Sequence, residues 1–322
     1  MVGKLERIET IMRIIYLGTP DFAVASLHAL VDAGKDVVAV VTMPDKKSGR
    51  GKKIQESPVK KYAHENKLPV LQPTNLKDPS FLTELKSYNA DIQIVVAFRM
   101  LPESVWNMPR LGTFNLHGSL LPQYRGAAPI NWAIMNGEEK TGVTTFFLKH
   151  EIDTGNILKQ EEILISETDN VGVVHDKLME LGAKLVVETL NEIEKGKIEG
   201  KPQNEFEEGE LKFAPKIFKA DCEINWNENS ENVFNKIRGL DPYPAAFTRI
   251  KIGDKELGLK VFSSSKELKL NASPKKTIVN GSQLGIETND GIIWVDELQL
   301  EGKRRMKTAD FLRGISDTME VL

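Results

Sequence analysis

Through its first half the chain alternates short runs rich in Ile and Val with helix-patterned stretches. Arg13–Leu17 (RIIYL) reads as a buried strand and stops at Gly18-Thr19-Pro20. The next stretch carries Phe22, Ala25, Leu27 and Leu30 on one side, with Asp21 placed to cap it and Gly34 to end it. Val37–Thr42 is a second buried strand, Tyr62–Lys67 is helical, Pro69–Leu71 is a short strand, Pro79–Ser87 is helical and Asp91–Phe98 is a strand. Thr113–His117 and Gly142–Leu148 are further strands. Val171–Glu194 is a long helix with Val174, Leu178, Leu181, Leu185 and Leu190 on one side. Strands that are apolar throughout belong to a parallel sheet covered on both faces by helices, so this part is expected to be a Rossmann-like α/β domain.

The pattern dissolves around Pro202–Ala220, where charged residues gather with Gly209 and Pro215. After about Ala245 the period changes to two: Phe247, Arg249 and Lys251 alternate with Thr248, Ile250 and Ile252. Gly253-Asp254 is a turn, Leu257–Phe262 a strand, and Leu284–Thr288 and Ile292–Val295 flank the turn Asn289-Asp290-Gly291 as a hairpin. Glu297–Leu300 is another strand, and Thr308 is placed to cap a last short helix. Several short strands in so little chain predict a small β-barrel or sandwich, and a barrel of this size with basic strands and loops resembles an OB-like fold. The 322 residues allow two domains. They are expected at 12–203 (α/β), 204–220 (linker) and 221–322 (β).

Lys and Arg number 43 against 46 Asp and Glu, a net charge of −3, so the chain is no uniformly basic nucleic-acid binder, though a sum hides local patches. The single cysteine, Cys222, excludes an internal disulfide and a Cys-rich metal site. Apolar runs such as Val37–Val41 and Ile94–Phe98 fall far short of the roughly 20 residues that cross a bilayer. Met1–Ile11 has the charges Lys4, Glu6, Arg7 and Glu9 and no apolar signal region. A cytoplasmic protein without membrane contact is expected.

The turn Gly18-Thr19-Pro20-Asp21 lacks the G-x-G-x-x-G spacing that cradles a pyrophosphate, and Pro20 removes a backbone donor. No G-x-x-x-x-G-K-[ST] loop is present. The densest stretch of chemistry is Asn115–Ile130, which begins where a strand ends, the edge at which open parallel sheets hold ligands. Asn115 and His117 are two apart and project to one side of an extended chain. A carboxamide that donates and an imidazole that moves a proton suit acyl chemistry, and neither is a nucleophile, which points to direct transfer. A carboxylate would orient the imidazole and keep it charged; Asp153, in the turn-forming Asp153-Thr154-Gly155, is the best candidate. His28, His64, His150 and His175 lie on helical or charged stretches that suit surface or packing roles.

HGSLLP at His117–Pro122, preceded by Asn115 and followed by Asp153-Thr154-Gly155, resembles the folate-dependent formyltransferases. Ser119–Ile134 (SLLPQYRGAAPINWAI), Gly18–Ala23 (GTPDFA), Pro44–Lys53 (PDKKSGRGKK) and Ser57–Lys60 (SPVK) resemble the branch whose acceptor is methionine on initiator tRNA. The likeness runs from about Met12 to the C-terminus. It implies that the formyl group of N10-formyltetrahydrofolate passes to the methionyl α-amine, without metal or nucleotide. It implies the catalytic set Asn115, His117 and Asp153, with Asn115 and His117 stabilising the oxyanion and Asp153 orienting His117. It also implies a folate-contacting segment Ser119, Leu120, Leu121 and Pro122, and a pterin-lining loop Ala97–Pro102 that includes Phe98, Arg99 and Leu101. AFRMLP there is shorter than the AYG-type segment of other members.

A tRNA acceptor fits the basic stretch Asp45–Lys61, where Lys46, Lys47, Arg50, Lys52, Lys53, Lys60 and Lys61 oppose Asp45 and Glu56. Within it Lys47, Arg50, Lys52 and Lys53 are the expected tRNA contacts, Arg50 foremost, by phosphate contact. The β domain adds Arg249, Lys251, Lys255, Lys260, Lys266, Lys269, Lys275 and Lys276 against Asp254, Glu256 and Glu267, and a second group of Lys303, Arg304, Arg305 and Lys307. Transfer to a small amine, such as a sugar nucleotide, is the alternative. A monomer suffices for either.

Overall fold

The computed structural model describes residues 12–48, 53–206, 209–315 and 319–322. The elements begin with β1 (Arg13–Gly18), α1 (Asp21–Asp32), β2 (Asp36–Val41), β3 (Lys46–Ser48), β4 (Lys53–Gln55), α2 (Pro58–Glu65), β5 (Val70–Leu71), α3 (Pro79–Ser87) and β6 (Ile92–Val96). Next come α4 (Glu103–Trp106), β7 (Thr113–His117), β8 (Arg125–Gly126), α5 (Pro129–Met135), β9 (Lys140–Phe147), β10 (Ile157–Leu164) and α6 (Val171–Glu194). After β11 (Phe213–Ala214) and α7 (Ser230–Leu240) the chain turns to strands: β12 (Ala246–Ile252), β13 (Lys255–Leu268), β14 (Thr277–Asn280), β15 (Gln283–Glu287) and β16 (Gly291–Leu300). It ends with β17 (Met306–Lys307), α8 (Thr308–Leu312) and β18 (Met319–Val321). Two compact units result: the chain up to Pro122 with Gly142–Glu161 and Lys177–Gly209, and Gln123–Thr141 with Glu162–Asp176 and Glu210–Leu322.

The first unit is built on a seven-stranded sheet in the order β10-β9-β7-β6-β1-β2-β5. β7, β6, β1, β2 and β5 run parallel, and β9 pairs antiparallel to β7. Both faces of the central strands are dry, as their unbroken apolar runs require. Ile15, Leu17, Ala39, Val41 and Val95 pack with Phe81 and Leu85 of α3. Tyr16 points the other way, and its buried hydroxyl donates to Ala23 O of α1 at 2.5 Å. Leu116 meets α6 at Gly182, where an added Cβ would lie 2.6 Å from Leu116 Cδ2.

In the second unit β14-β15-β16-β13-β12-β18 form an antiparallel path, with β17 attached to β16. Thr277 Oγ1 on β14 donates to Met319 O on β18 at 2.7 Å, linking the two ends of that path into a nearly closed barrel. Its core gathers Trp226, Val233, Ile237, Leu259, Val261, Ile286, Ile293 and Leu298. β8 pairs parallel to β11, and Gly126, at φ +129°, comes so close that a Cβ would stand 2.3 Å from Ala214 O. Only glycine takes that conformation without strain. Among the described residues no helix is long and apolar enough to cross a membrane.

Several local expectations are corrected. Asp21 does not cap α1; Pro20 is the N-cap residue and Asp21 begins the first turn. Thr308 does not cap α8, because its hydroxyl donates to Val295 O at 2.6 Å and Lys307 is the N-cap residue. The helix expected at Tyr62–Lys67 starts earlier, at Pro58, because Ser57 caps it by accepting from Lys60 N. The basic stretch contains an antiparallel hairpin with Lys46↔Gln55, Lys47↔Ile54 and Ser48↔Lys53 in register. Helix α7 was not anticipated. Its signal was the Asn229 cap followed by Val233, Ile237 and Leu240 on one stripe.

Candidate active site

Strand β7 carries the first two candidates to the carboxyl end of the parallel sheet. Its start is pinned by Thr113 Oγ1, which donates to Trp106 O at 2.6 Å. Alternation sends Leu116 to the α6 face and Asn115 and His117 to the opposite one. Asn115 stands across from Phe146 in β9, and His117 from Thr144. Directly opposed residues of an antiparallel pair share a face, so Thr144 and Phe146 are the immediate neighbours of the pair. His117 is 6% exposed, while Asn115 keeps more of its surface. The His117 and Phe146 rings meet edge-on at 6.4 Å between centroids.

Asp153 lies in the turn between β9 and β10 at φ +54°, a left-handed conformation that costs a non-glycine residue energy. The turn is held by buried Gln203, whose Nε2 donates to Asp153 O at 2.8 Å and to Gly155 O at 2.9 Å. At Gly155 a Cβ would fall 1.5 Å from Phe147 O and 3.2 Å from Phe146 Cδ2. The turn is therefore seated on β9, against the residues that flank Asn115 and His117. Gln203 gives no local sequence signal, since a glutamine fifty residues downstream is brought there only by the fold.

The segment after His117 is fastened from below. Thr144 Oγ1 donates to Ser119 O at 2.7 Å and accepts from Leu121 N at 3.1 Å and Gln160 Nε2 at 2.9 Å. Gln160 Nε2 also donates to Leu121 O at 2.7 Å. One hydroxyl thus uses its donor and both acceptor positions. Ser119 and Leu121 are buried, Leu121 within a cluster with Phe146 and Ile157. Half-buried Leu120 packs over Gly142, and Pro122 is buried. The Ser119–Pro122 segment offers a ligand shape and backbone rather than reaching side chains.

In the loop Ala97–Pro102, Phe98 and Leu101 lean on the core beneath the sheet. Arg99 turns back: its Nη1 donates to Thr74 O at 3.0 Å and its Nη2 to Pro73 O. Its Nε is buried with no hydrogen-bond partner among the described residues. Burial lowers its pKa from the ordinary guanidinium value. Arg99, Met100, Leu101 and Glu103 line one side of a cleft of about 700 Å³, with Thr74–Lys77 on the other.

Of the expected tRNA contacts, Lys47 and Lys53 fall on β3 and β4, while Arg50 and Lys52 lie outside the described residues, as do Met1–Ile11. Lys60 is no free cation: it pairs with Asp45 at 2.6 Å and with Glu56 at 3.0 Å. In the second unit Lys266 pairs with Glu231, Lys269 with Glu287, and Arg305 with Asp241 and Glu297. Lys303 and Arg304 are exposed.

The family model described as Formyl transferase matches residues 12–190, and that described as Formyl transferase, C-terminal domain, matches residues 216–316. Methionyl-tRNA formyltransferase of Bacteroides fragilis is 56% identical over 307 residues, covering 94% of this chain and 95% of that one. The protein of the same name from Parabacteroides distasonis is 54% identical over 315 residues, covering 96% and 97%. Among solved structures, an N-formyltransferase from Helicobacter canadensis in complex with folinic acid and dTDP-3-aminofucose aligns with TM-score 0.65 at 19% identity, covering 92% of this chain and all of that one.

Proposed function

The chain belongs to the formyl transferase family, and on that premise we propose that it moves the formyl group of N10-formyltetrahydrofolate to the α-amine of methionine on initiator tRNA. The observation that supports this most is the near full-length likeness to proteins named methionyl-tRNA formyltransferase, at 54–56% identity. The site adds a chemical rationale. Asn115 and His117 share one face at the end of β7, and Asp153 sits on a turn seated against the neighbouring strand.

In the proposed reaction the amine nitrogen attacks the formyl carbon, and Asn115 and protonated His117 stabilise the negative charge that builds on the formyl oxygen. The new C–N bond forms, the bond to N10 breaks, N10 takes up a proton, and the amine gives one up. In this reading His117 relays that proton to N10. Asp153 is proposed to orient the imidazole. Ser119–Pro122 and the Phe98–Leu101 loop are proposed to hold the folate, and Lys47, Arg50, Lys52 and Lys53 to meet tRNA phosphates.

In this reading residues 12–203 transfer the group, 204–220 link, and 221–322 help hold the RNA in the cytoplasm. The test offers labelled formyltetrahydrofolate with Met-tRNA or with an amino-sugar nucleotide. The proposal expects formyl-methionyl-tRNA; label on the sugar alone would replace it with the small-amine reading.

A further inference from the structure

The turn between β9 and β10 carries Asp153 at φ +54°, a left-handed conformation that a residue with a Cβ keeps only when its surroundings impose it. The imposing group is Gln203. Its carboxamide nitrogen has two N–H donors; one goes to Asp153 O at 2.8 Å and the other to Gly155 O at 2.9 Å. Gln203 is 4% exposed, so both bonds form away from competing water.

Gln203 is itself held in place from two sides. It opens a short 3-10 helix, Gln203–Phe206, just after a pairing with the start of β10. In that pairing Lys201 N donates to Ile157 O and Ile157 N donates to Lys201 O, both at 2.8 Å. Asn156 Nδ2 donates to Gly200 O at 3.1 Å, and a Cβ on Gly200 would stand 2.8 Å from Asn156 Cβ. On the other side of Gln203, Phe206 packs on the cluster of Leu121, Phe146 and Ile157. Residues 200–206 are therefore a strap fastened at both ends, and strap and turn belong to the same compact unit.

We infer that Gln203 is a positioning residue: it fixes the backbone of the Asp153 turn, and through that backbone the place of the Asp153 carboxylate, without touching either substrate. The clamp stands on geometry alone; its consequence for turnover rests on the role proposed for Asp153 above.

The test uses the full chain with Gln203→Met, which keeps the length of the side chain and removes both donors. Gln203→Glu is the second variant; ionised, it keeps the shape and donates neither bond. Hydrogen exchange reports the clamp without any substrate. Amides of residues 148–156 are expected to exchange on the order of tenfold faster in both variants, the scale of two neutral hydrogen bonds, while those of β7 stay as in wild type. Equal exchange in the turn would overturn the clamp. Equal acceleration in β7 would make the effect a general loss of stability and overturn it too.

In formylation assays kcat is expected to fall on the order of tenfold in both variants, with KM for each substrate within about twofold of wild type. Unchanged kcat, or a loss carried by KM, would overturn the positioning role. In an Asp153→Asn background Gln203→Met is expected to lower the rate by less than about twofold, because the carboxylate it positions is already gone. The full loss in that background would overturn action through Asp153. A wild-type protein inactive on Met-tRNA would refute the functional reading and the consequence for turnover with it, and the exchange comparison would still decide the clamp.

Discussion

The Phe146 ring meets the His117 imidazole edge-on, with centroids 6.4 Å apart and planes at 86°. The same ring stands across from Asn115 and against Gly155 of the Asp153 turn, and it is completely buried. Phe146→Ala is expected to cost ~3–5 kcal/mol of stability, the range for a buried phenylalanine. Phe146→Leu should cost under ~1.5 kcal/mol, because it keeps most of the volume, yet still lower kcat by loosening the imidazole. Urea unfolding set beside steady-state kinetics separates the two effects; a Leu variant with wild-type kcat would deny the ring a part in placing His117.

Thr144 offers a second check. Thr144→Val keeps the shape but leaves Ser119 O and Leu121 N without their hydroxyl partner, at ~1–3 kcal/mol for each orphaned buried group. If Ser119–Pro122 holds the folate, KM for formyltetrahydrofolate should rise on the order of tenfold while KM for tRNA stays near wild type. An equal rise in both would place the effect in general stability.

Gly155→Ala puts a Cβ 1.5 Å from Phe147 O, so the Asp153 turn must lift from β9. The expected outcome is a large loss of kcat with folate binding retained, read by single-turnover rates beside a folate titration. Unchanged turnover would mean that Asp153 does not depend on this seat.

Acid stability provides a test in the second unit. The Glu287 carboxyl is held below its ordinary range, first by Lys269 and then by Ser273 N. A carboxyl whose folded pKa is depressed stabilises the fold above its unfolded value, roughly 4.3, and that contribution fades as pH falls towards the folded value. Glu287→Gln should therefore be less stable than wild type at pH 6, with the gap narrowing below about pH 4. A gap that does not change with pH would assign the loss to packing alone.

Much of this arrangement is legible in the residues. The unbroken Ile and Val runs mark the parallel strands, and the shift to period two after Ala245 marks the barrel, because each pattern follows from which faces are buried. Asn115 and His117 are legible as a pair because strand geometry places alternate residues on one face. Gln160 and Gln203 are not, since each works through a backbone carbonyl that only the folded chain brings near. Helix α7 was hidden by its polar surface stripe. Lys60 was misleading: sequence counts its charge, whereas the fold gives that charge to Asp45 and Glu56.

The most direct test of the central claim is a single-turnover measurement with labelled formyltetrahydrofolate and Met-tRNA, on wild type and Asp153→Asn. The account predicts formyl-methionyl-tRNA from the wild type. It predicts a rate lower by on the order of a hundredfold or more in the variant, the scale seen when a key polar catalytic group is removed, with folate binding nearly intact. No formylated tRNA from the wild type, or an equal rate in the variant, would contradict it.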